Sequence, residues 1–131
     1  MGQPAAKQGD QVTATDIHIV MIPSPGGPIP TPIPNPFAGQ LDGSLSSDVK
    51  IEGKAAATKD STATNMPSHI PAGGPFQSPP SNKATVFLGS ATVNITGKSA
   101  ARNGDIATTC NDPTDLPMGQ VIAVSTVLIG G

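Results

Sequence analysis

Apolar and polar residues alternate along this chain in short runs with the period of a β-strand. In VTATDIHIV (residues 12–20) β-prone residues follow one another without a helical stripe. In DVKIEG (residues 48–53) Val49 and Ile51 point one way while Lys50 and Glu52 point the other. KATVFLGSATVNITG (residues 83–97) predicts two strands around Gly89-Ser90, and QVIAVSTVLIGG (residues 120–131) predicts a last pair. Helix is limited to one short turn near residues 55–57. Two stretches break the alternation. Residues 21–37 carry proline at almost every second position, which excludes helix and central strand and leaves extended polyproline-like backbone or a chain of turns. Residues 66–80 form a second Pro/Gly-rich loop, and it contains His69. The expected architecture is all-β, one domain spanning residues 1–131, with Pro-rich insertions at about 21–37 and 73–80.

The runs repeat. Val49-Lys50-Ile51-Glu52-Gly53-Lys54-Ala55-Ala56-Ala57 returns as Val93-Asn94-Ile95-Thr96-Gly97-Lys98-Ser99-Ala100-Ala101, a shared V-x-I-x-G-K-x-A-A. Part of it returns again at Thr126-Val127-Leu128-Ile129-Gly130. A second pattern joins Ala5-Ala6-Lys7-Gln8-Gly9-Asp10 to Ala100-Ala101-Arg102-Asn103-Gly104-Asp105, each with Thr three residues past the Asp. Each unit reads as a short strand, a Gly where the chain bends, closely packing small residues, then a Gly-Asp turn. Units of this kind laid around an axis give an object with approximate internal symmetry, and alanine suits an axis with no room for bulk.

Composition narrows the function. Gly and Pro supply 15 residues each, Trp and Tyr are absent and Phe occurs three times, so the apolar core is thin. Charged residues are 12% and the net charge is −2, which argues against a disordered tail. Seven scattered basic residues and the lack of stacking aromatics exclude a nucleic-acid platform. No stretch reaches the ~20 apolar residues of a membrane helix. The opening MGQPAAKQGD has no hydrophobic signal core, and Ala6 stands where a myristoylation motif needs Ser or Thr. Synthesis in the cytoplasm, with no Sec-type export, is therefore expected.

The chain has two histidines and one cysteine, so no internal disulfide. His18 follows the first Gly-Asp turn by eight residues, Cys110 follows the last by five, and His69 lies between them in NMPSHIP. In a quasi-symmetric object these post-turn segments converge near one end of the axis, where imidazole and thiolate suit zinc. Such a site would offset the thin core by joining three distant segments. Other readings fit the same residues: a hydrogen-bonded buried histidine, an inert buried thiol, or a Cys–His nucleophile oriented by Asn111 or Asp112. The last predicts a thiol that alkylates quickly, the zinc site one that reacts only after chelation.

Taken together, the Ala-Ala-Arg-x-Gly-Asp stretch at residues 100–105, its variant at 5–10 and the V-x-I-x-G repeats resemble the PAAR and PAAR-like family, the pointed tips of spikes in type VI secretion systems and related contractile injection particles. The resemblance covers most of the chain apart from the Pro-rich insertions. It implies a small cone of short β-hairpins with pseudo-threefold symmetry. Its base would sit on a trimeric β-helical spike protein, one copy per trimer, with zinc near the vertex. It also implies a structural, non-catalytic role, membrane contact only during puncture, and attachment of effectors in some members. Typical members hold the zinc with three His and one Cys; carried over by position, His18, His69 and Cys110 are three of those ligands. No third His exists, which leaves water, Asp112, Met66 or no protein group as the fourth. The last strand pair (residues 121–129), with Val93 and Ile95, is the expected spike-facing surface. The end at Gly131, directly after a strand, gives the expectation of no fused enzymatic cargo. A separate reading makes the Ile-Pro run at residues 29–36 a polyproline ligand for an aromatic groove.

Overall fold

One sequence of events occurs three times: a tight turn, a strand running out, a strand returning, a small hairpin, and a pair of alanines. The computed structural model describes residues 2–130, and among them it has twelve strands and no helix. The outgoing and returning strands are β2 (Gln11–Ile22) with β3 (Ile29–Gly43), β6 (Thr62–Asn65) with β7 (Lys83–Val86), and β10 (Ile106–Thr109) with β11 (Leu116–Ile122). They close into a six-stranded antiparallel barrel, because β3 also pairs with β6, β7 with β10 and β11 with β2. The small hairpins are β4 (Lys50–Ile51) with β5 (Lys54–Ala55), β8 (Asn94–Ile95) with β9 (Lys98–Ser99), and β12 (Leu128–Ile129) with β1 (Gln3–Pro4). The protein is all-β, and the repeats read from sequence are its structural units.

The alanines make the axis. Ala57 N donates to Ala6 O, Ala6 N to Ala101 O and Ala101 N to Ala57 O, at 2.9–3.0 Å, a ring of backbone hydrogen bonds that closes after three units. Consecutive side chains of extended backbone point to opposite faces. Ala6, Ala57 and Ala101 therefore face the barrel core of Val12, Leu41, Val86, Val121 and Phe37, while Ala5, Ala56 and Ala100 pack with Ile51, Ile95 and Ile129 under the small hairpins. All six alanines are fully buried, leaving no volume for a larger side chain. Residues 55–57, where a helical turn was expected, belong instead to β5 and this ring.

The turns obey the same symmetry. Lys7 N donates to Asp10 Oδ2, Arg102 N to Asp105 Oδ2 and, in the middle unit, Thr58 N to Ser61 Oγ. The middle turn reads Thr-Lys-Asp-Ser, so the Gly-Asp signature is absent there, and Asp60 takes the positive φ (76°) that Gly9 and Gly104 take elsewhere. In the small hairpins the x-G of V-x-I-x-G supplies two consecutive positive φ values, 52° and 81° at Glu52-Gly53 and 53° and 81° at Thr96-Gly97, the conformation of a type I′ turn.

Three stretches show pairings that the sequence pattern alone does not give. Proline-rich residues 29–37 are extended, one of the two expected forms, and not a chain of turns: they form most of β3 and pair with β2 from Ala14 to Ile22. Prolines 30, 32, 34 and 36 lie opposite Met21, Ile19, Ile17 and Thr15. The amides of Ile17, Ile19 and Met21 point away from β3, donating to Asn111, Asp112 and Pro75, so these are the non-hydrogen-bonded pairs of the ladder. Every proline thus stands where no N–H is required, and this part of β3 is an edge strand. The two strands expected around Gly89-Ser90 are β7, in the barrel, and β8, in a small hairpin, while the expected last pair is β11, in the barrel, and β12, which pairs with β1 instead. In the expected spike-facing stretch, Val121 and Ile129 are buried, and Ile122, Val124, Val127 and Leu128 are exposed.

Candidate metal centre

The returns of the three large hairpins lie at the end of the barrel opposite the small hairpins, and there the chain gathers its rarest side chains. Counting from the last residue of each turn, the eighth position is His18 after Asp10, His69 after Ser61 and Pro113 after Asp105. Two imidazoles therefore arrive by symmetry, and the third unit contributes Cys110 from the residue after β10. Asp16, two residues before His18 on β2, shares its face. Asp16, His18, His69 and Cys110 are all buried, and one ligand atom from each lies within 4.8 Å of every other. This cluster could hold a metal ion.

The alternation of β2 is inverted relative to a greasy core. Its inward face carries Val12, Asp16, His18 and Val20, all at most 1% exposed, while Ile17 and Ile19 are only half-buried. The mouth of the barrel is thus polar inside. Phe37 and Phe76 close it on two sides, with ring centroids 6.1 Å from His69 and 5.8 Å from His18, and the two imidazoles are 5.0 Å apart. Phe76 is placed by the 73–80 stretch, which is laid along β2 rather than looped out: Gln77 N donates to Ile19 O and Met21 N to Pro75 O, both at 2.8 Å.

Three of the four side chains are hydrogen-bonded, and Asp16 is the partner of two of them. His69 Nε2 lies 2.9 Å from Asp16 Oδ2, and Asn65 Nδ2 lies 3.2 Å from His69 Nδ1. Asn82 Oδ1 accepts from both His69 N and Asn65 Nδ2, which ties the loop to the strand beneath it. Asp16 Oδ1 accepts from the Thr109 hydroxyl at 2.6 Å, and Oδ2 accepts from the Cys110 thiol at 3.4 Å. Burial first, and then the negative charge of Asp16, push the Cys110 thiol up to about 11, so in the metal-free protein it is protonated at neutral pH.

His18 is the exception. It is 1% exposed and neither ring nitrogen has a hydrogen-bond partner. Asp112 Oδ2 is 3.5 Å from Nδ1, too long for a hydrogen bond. An unsatisfied buried polar group costs about 1–3 kcal/mol, and a lone pair aimed into a cluster of His, Cys and Asp is what a metal would satisfy.

The residues expected from sequence, His18, His69 and Cys110, are brought together. Neither residue named as a possible fourth donor fills that place. Asp112 accepts from Ile19 N and Asn111 from Ile17 N, pinning the residues after β10 to β2, and Met66 is 71% exposed. Asp16 went unrecognised, although its i, i+2 spacing from His18 on a strand was a usable signal. No protein-family model matches the chain, and none of the curated proteins matches it in sequence.

Proposed function

We propose that this protein is the non-catalytic tip of a trimeric spike in a contractile injection machine, stiffened by one zinc ion held by His18, His69 and Cys110. The observation that carries the reading is the closed ring of backbone hydrogen bonds among Ala6, Ala57 and Ala101. It gives a single chain three quasi-equivalent units around one axis, with small hairpins at one end and the metal-ligand cluster at the other. A chain of that symmetry can cap three identical partner chains while leaving each in the same environment. Imidazole and thiolate are zinc's preferred donors, and the buried, unpartnered His18 favours an ion at this point, one that must displace the thiol proton of Cys110 as it binds. Zinc bound there would tie β2, the β6–β7 loop and the end of β10 together, resisting splay when the point is driven into a membrane. At the other end, the exposed Val124, Val127 and Leu128 are the apolar surface offered to the spike. The polyproline-ligand reading loses its basis, since the Ile-Pro run is tied into the barrel as β3. A protonated buried thiol likewise disfavours a cysteine hydrolase.

Two measurements test the reading. Metal analysis of the purified protein should give one zinc per chain, and chelation should lower the melting temperature substantially. Mixed with a trimeric β-helical spike protein, the chain should assemble at one copy per trimer. A metal-free protein that melts unchanged with chelator, or assembly at three copies per trimer, would refute it.

A further inference from the structure

The approximate threefold symmetry places a histidine eight residues after the first and second turns, and in the third unit that position is Pro113. The symmetric set is therefore one imidazole short. The group that stands in the gap comes from the first unit. Asp16 is completely buried, and its Oδ2 faces His69 Nε2 at 2.9 Å and Cys110 Sγ at 3.4 Å. Its other oxygen is already taken by the Thr109 hydroxyl, which fixes the direction in which Oδ2 points. Among the described residues, no lysine or arginine pairs with it; the Lys and Arg ion pairs go to Asp10, Asp60 and Asp105. Its potentially cationic partner is the His69 imidazole, and a buried carboxylate facing a neutral imidazole and a thiol is costly unless a positive charge is supplied.

We infer that Asp16 is the fourth protein donor to the ion, through Oδ2, with Thr109 as its positioning residue. This rests on the metal reading above and adds to it a specific ligand set. The set is also balanced in charge. One carboxylate and one thiolate against a divalent cation sum to zero, with both imidazoles neutral, so the ion enters a buried site leaving no net charge behind. The sequence pattern agrees, since Asp16 and His18 occupy successive inward positions of one strand and reach the same point.

A competing role for Asp16 is to orient His69 from outside the coordination sphere. Outer-shell partners of this kind contribute about 10–100-fold in metal affinity. The full-length protein is titrated with zinc against a competing chelator, and with cobalt(II) followed by its visible absorption. Asp16→Ala should weaken zinc binding by more than about a hundredfold, beyond the outer-shell range. Asp16→His, which restores the missing imidazole, should bring affinity back to near the parent's. Thr109→Val should lose about tenfold. If Asp16→Ala does not fold, Asp16→Asn, which keeps the shape and the Thr109 hydrogen bond, should still show an altered cobalt d–d spectrum with the thiolate charge-transfer band retained. Should Asp16→Ala stay within the outer-shell range and Asp16→His bind no better, or Asp16→Asn leave the cobalt spectrum unchanged, Asp16 is not a ligand, while zinc binding by the parent stands. A parent protein that takes up neither zinc nor cobalt removes the metal reading itself.

Discussion

Cys110 is 2% exposed and lies against the carboxylate of Asp16, and both circumstances oppose its ionisation. Its folded value of about 11 stands above the ordinary thiol value near 8.5. Because the folded state holds the proton more tightly, the contribution is fully present below the unfolded value and is lost as pH rises through about 11. That rise amounts to roughly 3 kcal/mol. Urea denaturation of the chelated protein should therefore show stability falling between about pH 9 and 11, and Cys110→Ala should flatten that slope. The zinc-loaded protein should respond in the opposite sense, losing its metal as acid reprotonates the ligands. At this scale the sequence was partly legible. Histidine and cysteine are so scarce here that their convergence could be expected, whereas Asp16 is one of many polar residues in alternating runs. A face of β2 that is polar inside the barrel runs against the usual reading of which side is buried.

The element that misled was β3. Proline in a strand ordinarily removes a ladder donor, yet a proline at every second position removes only donors that face away from the partner. The period of the prolines equals the period of the pleat, and β2 fixes which half of the residues must keep their amides. Ile33, opposite His18, is on the bonded side, and Pro34, opposite Ile17, is not. Ile33→Pro should therefore destabilise the protein by more than about 1 kcal/mol through the lost hydrogen bond and its unpaired partner. Pro34→Val should leave stability within about 1 kcal/mol. Thermal melting of the two variants side by side is the check, and equal losses would mean the register is wrong. The prolines also guard the uncovered edge of β3 against pairing with another chain. Short strands with a type I′ turn were readable because E-G and T-G carry a local conformational signal; which strand pairs with which was not, since that depends on closure of the barrel.

For the molecule as a whole, the repeats were legible and their closure was not. Two copies of V-x-I-x-G-K-x-A-A and two of the Gly-Asp turn were visible, but the third copy of each is disguised. The middle turn substitutes Asp60 and Ser61 for Gly and Asp. The third small hairpin is split between β12 and β1, at opposite ends of the sequence. Gln3 lies opposite Ile129 as Lys54 lies opposite Ile51 and Lys98 opposite Ile95. Three alanine pairs, three isoleucines and three turns then stack in layers along one axis, with the polar cluster at the far end. Such layering lets a core with few large side chains be filled without voids.

The pairing of β12 with β1 also means that Gly2 and Gly130 occupy the two positions held by Gly53 and Glu52 in the first small hairpin. Topologically the protein is a circle of three, interrupted once, and the interruption need not be where it is. Joining Gly130 directly to Gly2 would give a Gly-Gly pair, a sequence that a type I′ turn accepts, while opening the chain between Glu52 and Gly53 moves the break one unit around. The permuted chain should fold to the same circular dichroism spectrum and melt within a few degrees of the parent, by about 1 kcal/mol of stability or less. A permutant that cannot fold would mean that the three units are not interchangeable in the order of the chain.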